Sequence, residues 1–364
     1  MYERTSIIAE AGVNHNGSLA MAKQLIDAAV GVGADFVKFQ TFKSSAVLTA
    51  RAEKAGYQKV TTDARQNQLE MVSKLELSED DHRELSGHCK MQGIALVSTP
   101  FDVGSANFLV RDLGVDFVKV SSGDLTNAPF LLHLASLGAP IVLSTGMGLL
   151  GEIEDALGVL AFGYLAVPGV APGLSAFRDA YVSKHGQAVL SEKVSLLHCT
   201  TEYPAPIDCT NLRAIDTLSQ AFGLRTGFSD HTQGIHVPIA AVAREARIIE
   251  KHLTLDRGLA GPDHRASLEP AEFSNMVSAI RDVELALGSA RKLPTRAEIP
   301  NLVAARRSLV AARGIEKGEI FSVDMLTTKR PGGGLAPIEF WTLIGKVAHR
   351  AYSVDEAIES VERN

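Results

Sequence analysis

The chain has 364 residues, 46% of them hydrophobic and 21% charged, with a net charge of −6 and three cysteines. That length supports a large domain with a full core plus a small one, and an acidic balance without a basic stretch argues against a nucleic-acid footprint, so an anionic ligand must be met by locally placed cations. No apolar run has the length of a membrane span, no hydrophobic signal core follows Met1-Tyr2-Glu3-Arg4, and Cys89, Cys199 and Cys209 form neither a disulfide framework nor a CxxC site, which together predict a cytoplasmic protein.

In chain order, short β-rich runs fall at 6–11, 35–41, 94–98, 116–121, 141–144, 194–199, 225–228 and 247–252. Between them lie amphipathic helix candidates such as 19–30, 78–92, 105–113 and 151–162. Eight such units over roughly 285 residues predict a closed (β/α)8 TIM barrel, typically about 250 residues. An open doubly wound sheet is disfavoured: no GxGxxG follows the first run, and polar residues follow every run rather than one switch point. Segment 163–192, with Val-Pro-Gly and Ala-Pro-Gly, is long for a connection and predicts an excursion with one small helix near 175–185. The expected division is a barrel at 1–287, a linker at 288–305 containing Pro294 and Pro300, and a small, mostly β domain at 306–364. So small a domain is marginal alone and is expected to dock on the barrel or on a neighbouring subunit.

The ends of the runs carry the chemistry. Gly33-Ala-Asp-Phe-Val-Lys38 recurs as Gly114-Val-Asp-Phe-Val-Lys119, so two apolar strands each deliver a lysine to the same end. One such lysine could merely snorkel out of its strand. Two, among other polar strand ends, predict an anion site, because burying an unpaired ammonium costs several kcal/mol, of order. With Thr99, Ser122 and Ser144 hydroxyls they suit a phosphate ester beside a carboxylate. Glu10 and Asp124 supply an acid and a base, although either could simply hold a lysine. His198 and His231, at adjacent strand ends, could approach one divalent ion, Mn2+ or Mg2+ with open water positions, or could be packed or capping histidines. Cys199 reads as a packed strand cysteine. Glu250-Lys251-His252 and Gly261-Pro262-Asp263-His264 complete the polar rim without an assigned role.

Seven segments in fixed order closely resemble the bacterial sialic acid (N-acetylneuraminate) synthase family. They include Ile7-Ile-Ala-Glu10-Ala-Gly-Val-Asn-His-Asn-Gly17, Val37-Lys38-Phe39-Gln40-Thr41-Phe42, Ser98-Thr99-Pro100-Phe101-Asp102, Leu197-His198-Cys199-Thr200-Thr201-Glu202 and Gly227-Phe228-Ser229-Asp230-His231-Thr232. The tail, with Ile315-Glu-Lys-Gly-Glu319 and Thr328-Lys-Arg330-Pro-Gly332, is similar to that family's antifreeze-like SAF domain. The resemblance implies a synthase that condenses phosphoenolpyruvate with N-acetylmannosamine and water to a nine-carbon 2-keto acid plus phosphate. The alternative is the N,N'-diacetyllegionaminate synthase branch, whose acceptor is 2,4-diacetamido-2,4,6-trideoxymannose. It further implies His198 and His231 as ligands of an Mn2+-type ion, and Lys38, Thr99, Lys119, Ser122 and Ser144 as phosphoenolpyruvate contacts. Glu10 would lie beside the metal, Gln40 at the amino sugar, and Arg330 in the partner's pocket of a domain-swapped homodimer. The family carries Gly-Ser-Gly-Glu or Pro-Ser-Gly-Glu where this chain has Ser121-Ser122-Gly123-Asp124, so a water-activating role for Asp124 rests on a carboxylate one methylene shorter. Two other classes compete: a Schiff-base aldolase acting through Lys38, and a non-catalytic sugar-phosphate sensor.

Overall fold

A computed structural model describes residues 4–62 and 66–359 and divides at Gly288/Ser289 into two compact units. In the first unit eight parallel strands close a barrel in sequence order, with β8 returning to β1. They are β1 (Ser6–Gly12), β2 (Phe36–Thr41), β3 (Ala95–Pro100), β4 (Val118–Val120), β5 (Ile141–Ser144), β6 (Val194–Cys199), β7 (Arg225–Asp230) and β8 (Ile248–His252). All eight runs expected from the sequence are there.

The period-two alternation of a strand sorts the side chains. Ile8, Val97, Val142, Leu197 and Ile248 turn inward and, with Phe36 and Phe117, plug the barrel with apolar side chains. Their neighbours on the outer face, among them Ile7, Val37, Phe39, Phe228 and Ile249, pack against the surrounding helices. Burying one such side chain contributes about 1.5–3 kcal/mol. Helix Leu19–Gly31 shows why the ring forms: Ser18 caps it by accepting from the Met21 N–H, and Ala22, Leu25, Ile26 and Ala29 share one buried face. Helix Glu79–Gln92 starts in a Ser78 capping box and stops at Gly93, whose φ of 75° is left-handed.

Three features differ from the sequence expectation. The helix expected at 105–113 is Val103–Asn107 running into a π-helical turn, Phe108–Leu113. The 163–192 excursion holds two helices, Leu174–Val182 and Lys184–Lys193, because Ser183 ends the first and caps the second by accepting from the Gly186 N–H. Residues 42–62 and 66–78 contribute a strap with three short helices, Ser44–Val47, Gly56–Thr61 and Gln68–Ser73.

In the second unit, helix Ile299–Ala305 precedes two antiparallel strands, β9 (Ser308–Ala311) and β10 (Leu326–Lys329). Its own core gathers Leu309, Ile315, Phe321, Tyr352 and Ile358. Among the described residues, no helix is long and apolar enough to cross a membrane.

Candidate active site

Two residues beyond the apolar plug, on the same inward face, seven of the eight strands deliver a polar side chain: Glu10 past Ile8, Lys38 past Phe36, Thr99 past Val97, Lys119 past Phe117, Ser144 past Val142, Cys199 past Leu197 and Glu250 past Ile248. All of these line one cavity of about 280 Å3. It opens at the carboxyl ends of the strands, where a barrel places its chemistry. Gln40, Ser122, Ser229, His231, His252 and Asp263 join the lining.

The floor is a network of buried charges. Lys38 Nζ lies 2.7 Å from Glu10 and 3.8 Å from Glu250, and donates to Thr99 Oγ1 at 3.0 Å. Lys119 Nζ lies 3.5 Å from Glu250, and Ser229 Oγ donates to the same carboxylate oxygen at 2.9 Å. Burial raises Glu10 to about 7 against the pull of Lys38. Burial alone would raise Glu250 as well, but Lys119 and Lys38 hold it down at about 2. For Lys38, burial works against the charge and is outweighed by Glu10 and Glu250, leaving it above its usual value. For Lys119 burial prevails over Glu250 and lowers it. Gln40 Nε2 donates to Glu10 at 3.4 Å. Ser144 Oγ is buried and, among the described residues, has no hydrogen-bond partner, which leaves it available to a ligand.

Glu10 has a consequence for stability. Its folded value of about 7 lies above its ordinary 4.5, so between those pH values the folded chain binds more protons than the unfolded one. The stabilisation is complete below 4.5 and is lost as pH rises through 7. Glu10→Gln is expected to flatten the fall of the unfolding midpoint across that window in metal-free protein. An unchanged slope in a pH series of thermal melts would contradict the raised value.

Above the floor, His231 and His252 face each other with ring centroids 5.5 Å apart, and Tyr203 stacks on His231 at 4.0 Å. His231 Nδ1–H donates to the Thr200 carbonyl at 2.8 Å, which leaves Nε2 as the nitrogen facing a ligand; burial works against the ring's charge, but Cys199 and the Thr200 carbonyl raise its pKa above the ordinary value, so an ion at Nε2 would displace a proton. His252 Nδ1 is buried without a partner among the described residues. Burial, reinforced by His231, keeps His252 well below its ordinary value, so the ring is neutral. Burial raises Asp263 to about 6, with His231 opposing. Among the described residues no three His, Cys, Asp or Glu side chains converge as a closed metal cage. The two imidazoles would hold an ion whose other positions are open to substrate and water.

His198 is not part of this pair. Leu197 and Cys199 take the inward phase of β6, so His198 points outward, donates to the Thr210 carbonyl at 2.7 Å and lies against Phe228 at 5.8 Å. Cys199 instead lines the cavity, 3.8 Å from His231 Nδ1. Asp124 is likewise turned away: it sits in the turn Ser122–Asp124, accepts from Asn127 Nδ2 at 3.0 Å, and does not line the cavity. Ser122 is held by the Gly146 N–H, which donates to its Oγ at 3.0 Å. Arg330 is an exposed residue of the second unit, directly after β10.

Behind the imidazoles, outside the barrel, Lys251 Nζ meets Asp230 at 2.6 Å and also donates to the Thr232 carbonyl, and Asp230 accepts from the Thr232 N–H at 2.8 Å. Asp230 and Lys251 are cross-strand partners with fully buried side chains, and each is the chain neighbour of one imidazole residue. Breaking such a pair strands a buried charge. Lys251→Met alone should therefore cost about 3–5 kcal/mol in denaturant unfolding, with most of the loss recovered by adding Asp230→Leu. A single variant as stable as the parent would contradict this.

Comparison with known proteins places these features. The NeuB family model matches residues 25–292 and the SAF domain model residues 306–358. The N,N'-diacetyllegionaminic acid synthase of Campylobacter jejuni is 47% identical over 356 residues, covering 98% of this chain and 99% of the relative. The protein of the same name from Legionella pneumophila is 44% identical, covering 93% and 89%. Among solved structures, the N-acetylneuraminic acid (sialic acid) synthetase of Leptospira borgpetersenii in complex with citrate aligns with a TM-score of 0.65 at 30% identity, over 82% of this chain and 90% of that one.

Proposed function

The chain belongs to the NeuB family, with a SAF domain behind its barrel, and on that footing we propose that it condenses phosphoenolpyruvate with an N-acetylated aldose and water, giving a nine-carbon 2-keto acid and phosphate. The acceptor we assign is 2,4-diacetamido-2,4,6-trideoxymannose rather than N-acetylmannosamine, a choice supported by the 47% and 44% identity to two legionaminic acid synthases. The observation that carries the reaction class is the floor itself: two buried lysines held by Glu10 and Glu250, one of them on the Thr99 hydroxyl, beside a carboxyl poised near neutrality.

Phosphoenolpyruvate would place its phosphate and carboxylate on Lys38, Lys119, Thr99, Ser122 and Ser144, taking over charge now shared with Glu10 and Glu250. A divalent ion, Mn2+ or Mg2+, fits His231 Nε2 and His252 and would polarise the acceptor's aldehyde as a Lewis acid. C3 of phosphoenolpyruvate bonds to the aldehyde carbon, and the aldehyde oxygen takes a proton from the Glu10 carboxyl. The positive charge left at C2 is shared by the phosphate-bearing oxygen and faces the Glu250 carboxylate, which its lysines keep ionised. Water then adds at C2 and one of its protons passes to Glu10; the C2–O bond to phosphate breaks as the proton of the remaining C2 hydroxyl moves to the departing phosphate, which leaves the 2-keto group. Glu10 thus takes the water-activating role that the sequence suggested for Asp124, because Glu10 lines the cavity and Asp124 bonds Asn127 instead. We further propose a homodimer in which Arg330 meets the acceptor in its partner's cavity. A monomer by sedimentation at assay concentration would refute that.

Phosphate release from phosphoenolpyruvate in the presence of Mn2+ tests the reading. It is expected with the 2,4-diacetamido sugar and to stop in EDTA. A sensor would bind without release, and a Schiff-base aldolase would ignore EDTA and be trapped by borohydride.

A further inference from the structure

The cavity has two unlike halves, and the apolar half has no use for phosphoenolpyruvate. Beyond Glu10, Lys38 and Thr99, at the ends of the same three strands, Val13, Phe42 and Phe101 join Met71, Val72 and Leu75 of the strap in an apolar sector of the wall. Val13, Phe42 and Leu75 are buried together, with Val72 and Phe101 packed on them. Phe42 and Phe101 meet edge to face at 6.2 Å. The only polar side chains that the strap contributes to the described lining are the amides of Gln58 and Gln68.

This wall is built rather than draped. Glu76 accepts from the Ser44 N–H at 3.0 Å and from Lys43 Nζ at 3.1 Å, Asp102 accepts from the Lys43 N–H at 3.0 Å, and the hydroxyls of Ser44 and Ser73 bond at 3.0 Å. The strap is pinned at both ends, so the apolar side chains stand in place before a ligand arrives.

We propose that this sector selects the acceptor by its C6 methyl group: a sugar deoxygenated at C6 lays that methyl on Met71, Val72 and Leu75. The inference rests on the synthase reading and deepens it. With the anionic enol ester drawn to the lysines, the acceptor's far end is left facing the strap. A methyl there loses only water. A C6 hydroxyl would be stripped of water against side chains that offer it neither a carboxylate nor a hydroxyl. Carboxamides at Gln58 and Gln68 match acetamido groups, which both donate and accept.

The test uses two acceptors that differ by one oxygen, N-acetylmannosamine and its 6-deoxy analogue, with phosphoenolpyruvate and Mn2+ and the full-length protein. The parent is expected to favour the 6-deoxy sugar in kcat/KM by about 10–100-fold, the range an apolar wall reaches against an added hydroxyl. Met71→Gln and, separately, the near-isosteric Val72→Thr should cut that preference by about tenfold by supplying a partner for the oxygen. Because the readout is a ratio within one variant, a loss of folded protein or of general activity cancels. Where rates become too slow, the ratio of the two dissociation constants replaces it. A parent ratio near one, or a ratio unmoved in both variants, overturns the inference while leaving the synthase standing. No phosphate release by the parent with either sugar or with the 2,4-diacetamido sugar overturns the synthase reading, and this inference with it.

Discussion

If His231 and His252 hold the ion as proposed, replacing His252 by alanine is expected to lower kcat/KM by about 10³-fold or more and to abolish saturable Mn2+ binding, because losing one of two protein ligands would remove several kcal/mol of charge stabilisation. His231→Ala should do the same. His198→Ala is expected to leave metal binding intact and kcat within about threefold. It should cost about 1 kcal/mol of stability through its lost bond to the Thr210 carbonyl. The contrast follows from strand phase: His231 and His252 share the inward face with Ser229 and Glu250, whereas His198 shares the outer face of β6 with Leu196. Calorimetric titration of Mn2+ into the three variants separates the cases. Loss of binding in His198→Ala with retention in His252→Ala would reverse the assignment.

The second large effect concerns Lys38. Lys38→Met should lower kcat/KM for phosphoenolpyruvate by about 10²–10³-fold, since it removes a buried charged group that would donate to the substrate's phosphate or carboxylate. Lys38→Arg keeps the charge but not the compact fit beside Glu10 and Thr99, and should recover part of the activity. An imine-forming lysine would tolerate neither change, and borohydride would trap pyruvate on it. Equal inactivity of both variants together with trapping would move the chain to the aldolase class. The structure argues the other way, because Glu10 and Glu250 hold Lys38 charged rather than free to attack a carbonyl.

Much of the barrel is written locally. Apolar runs of strand length between capped amphipathic segments mark all eight strands, and the duplicated Asp-Phe-Val-Lys puts both lysines in one inward phase. Phase also explains the misplaced histidine. In Val194-Ser-Leu-Leu-His-Cys199, adjacent leucines satisfy either face, so hydrophobicity does not decide whether His198 or Cys199 turns inward. On β8 the alternation was readable: Glu250 and His252 lie two apart, with Ile248 below them in the plug. Asp124 was a candidate base as a strand-end carboxylate at the place of the family's glutamate, but in the turn Ser122–Asp124 it accepts from Asn127 and does not line the cavity. The apolar wall was not legible, because the strap's short helices are polar in composition and gain their meaning only where Met71, Val72 and Leu75 meet Phe42 and Phe101 from other strand ends. In the second unit β9 was visible as an apolar run, whereas Leu-Thr-Thr-Lys of β10 has one buried residue and no alternation to announce it.

The most direct measurement is to follow the bridging oxygen. Phosphoenolpyruvate labelled with 18O between C2 and phosphorus, turned over with Mn2+ and the 2,4-diacetamido sugar, should release phosphate and 2-keto acid in equal amounts with all of the label in the phosphate, because water supplies the new oxygen at C2 and the C2–O bond breaks. Label retained in the keto acid would mean that the P–O bond broke instead, and would contradict the mechanism assigned to this cavity.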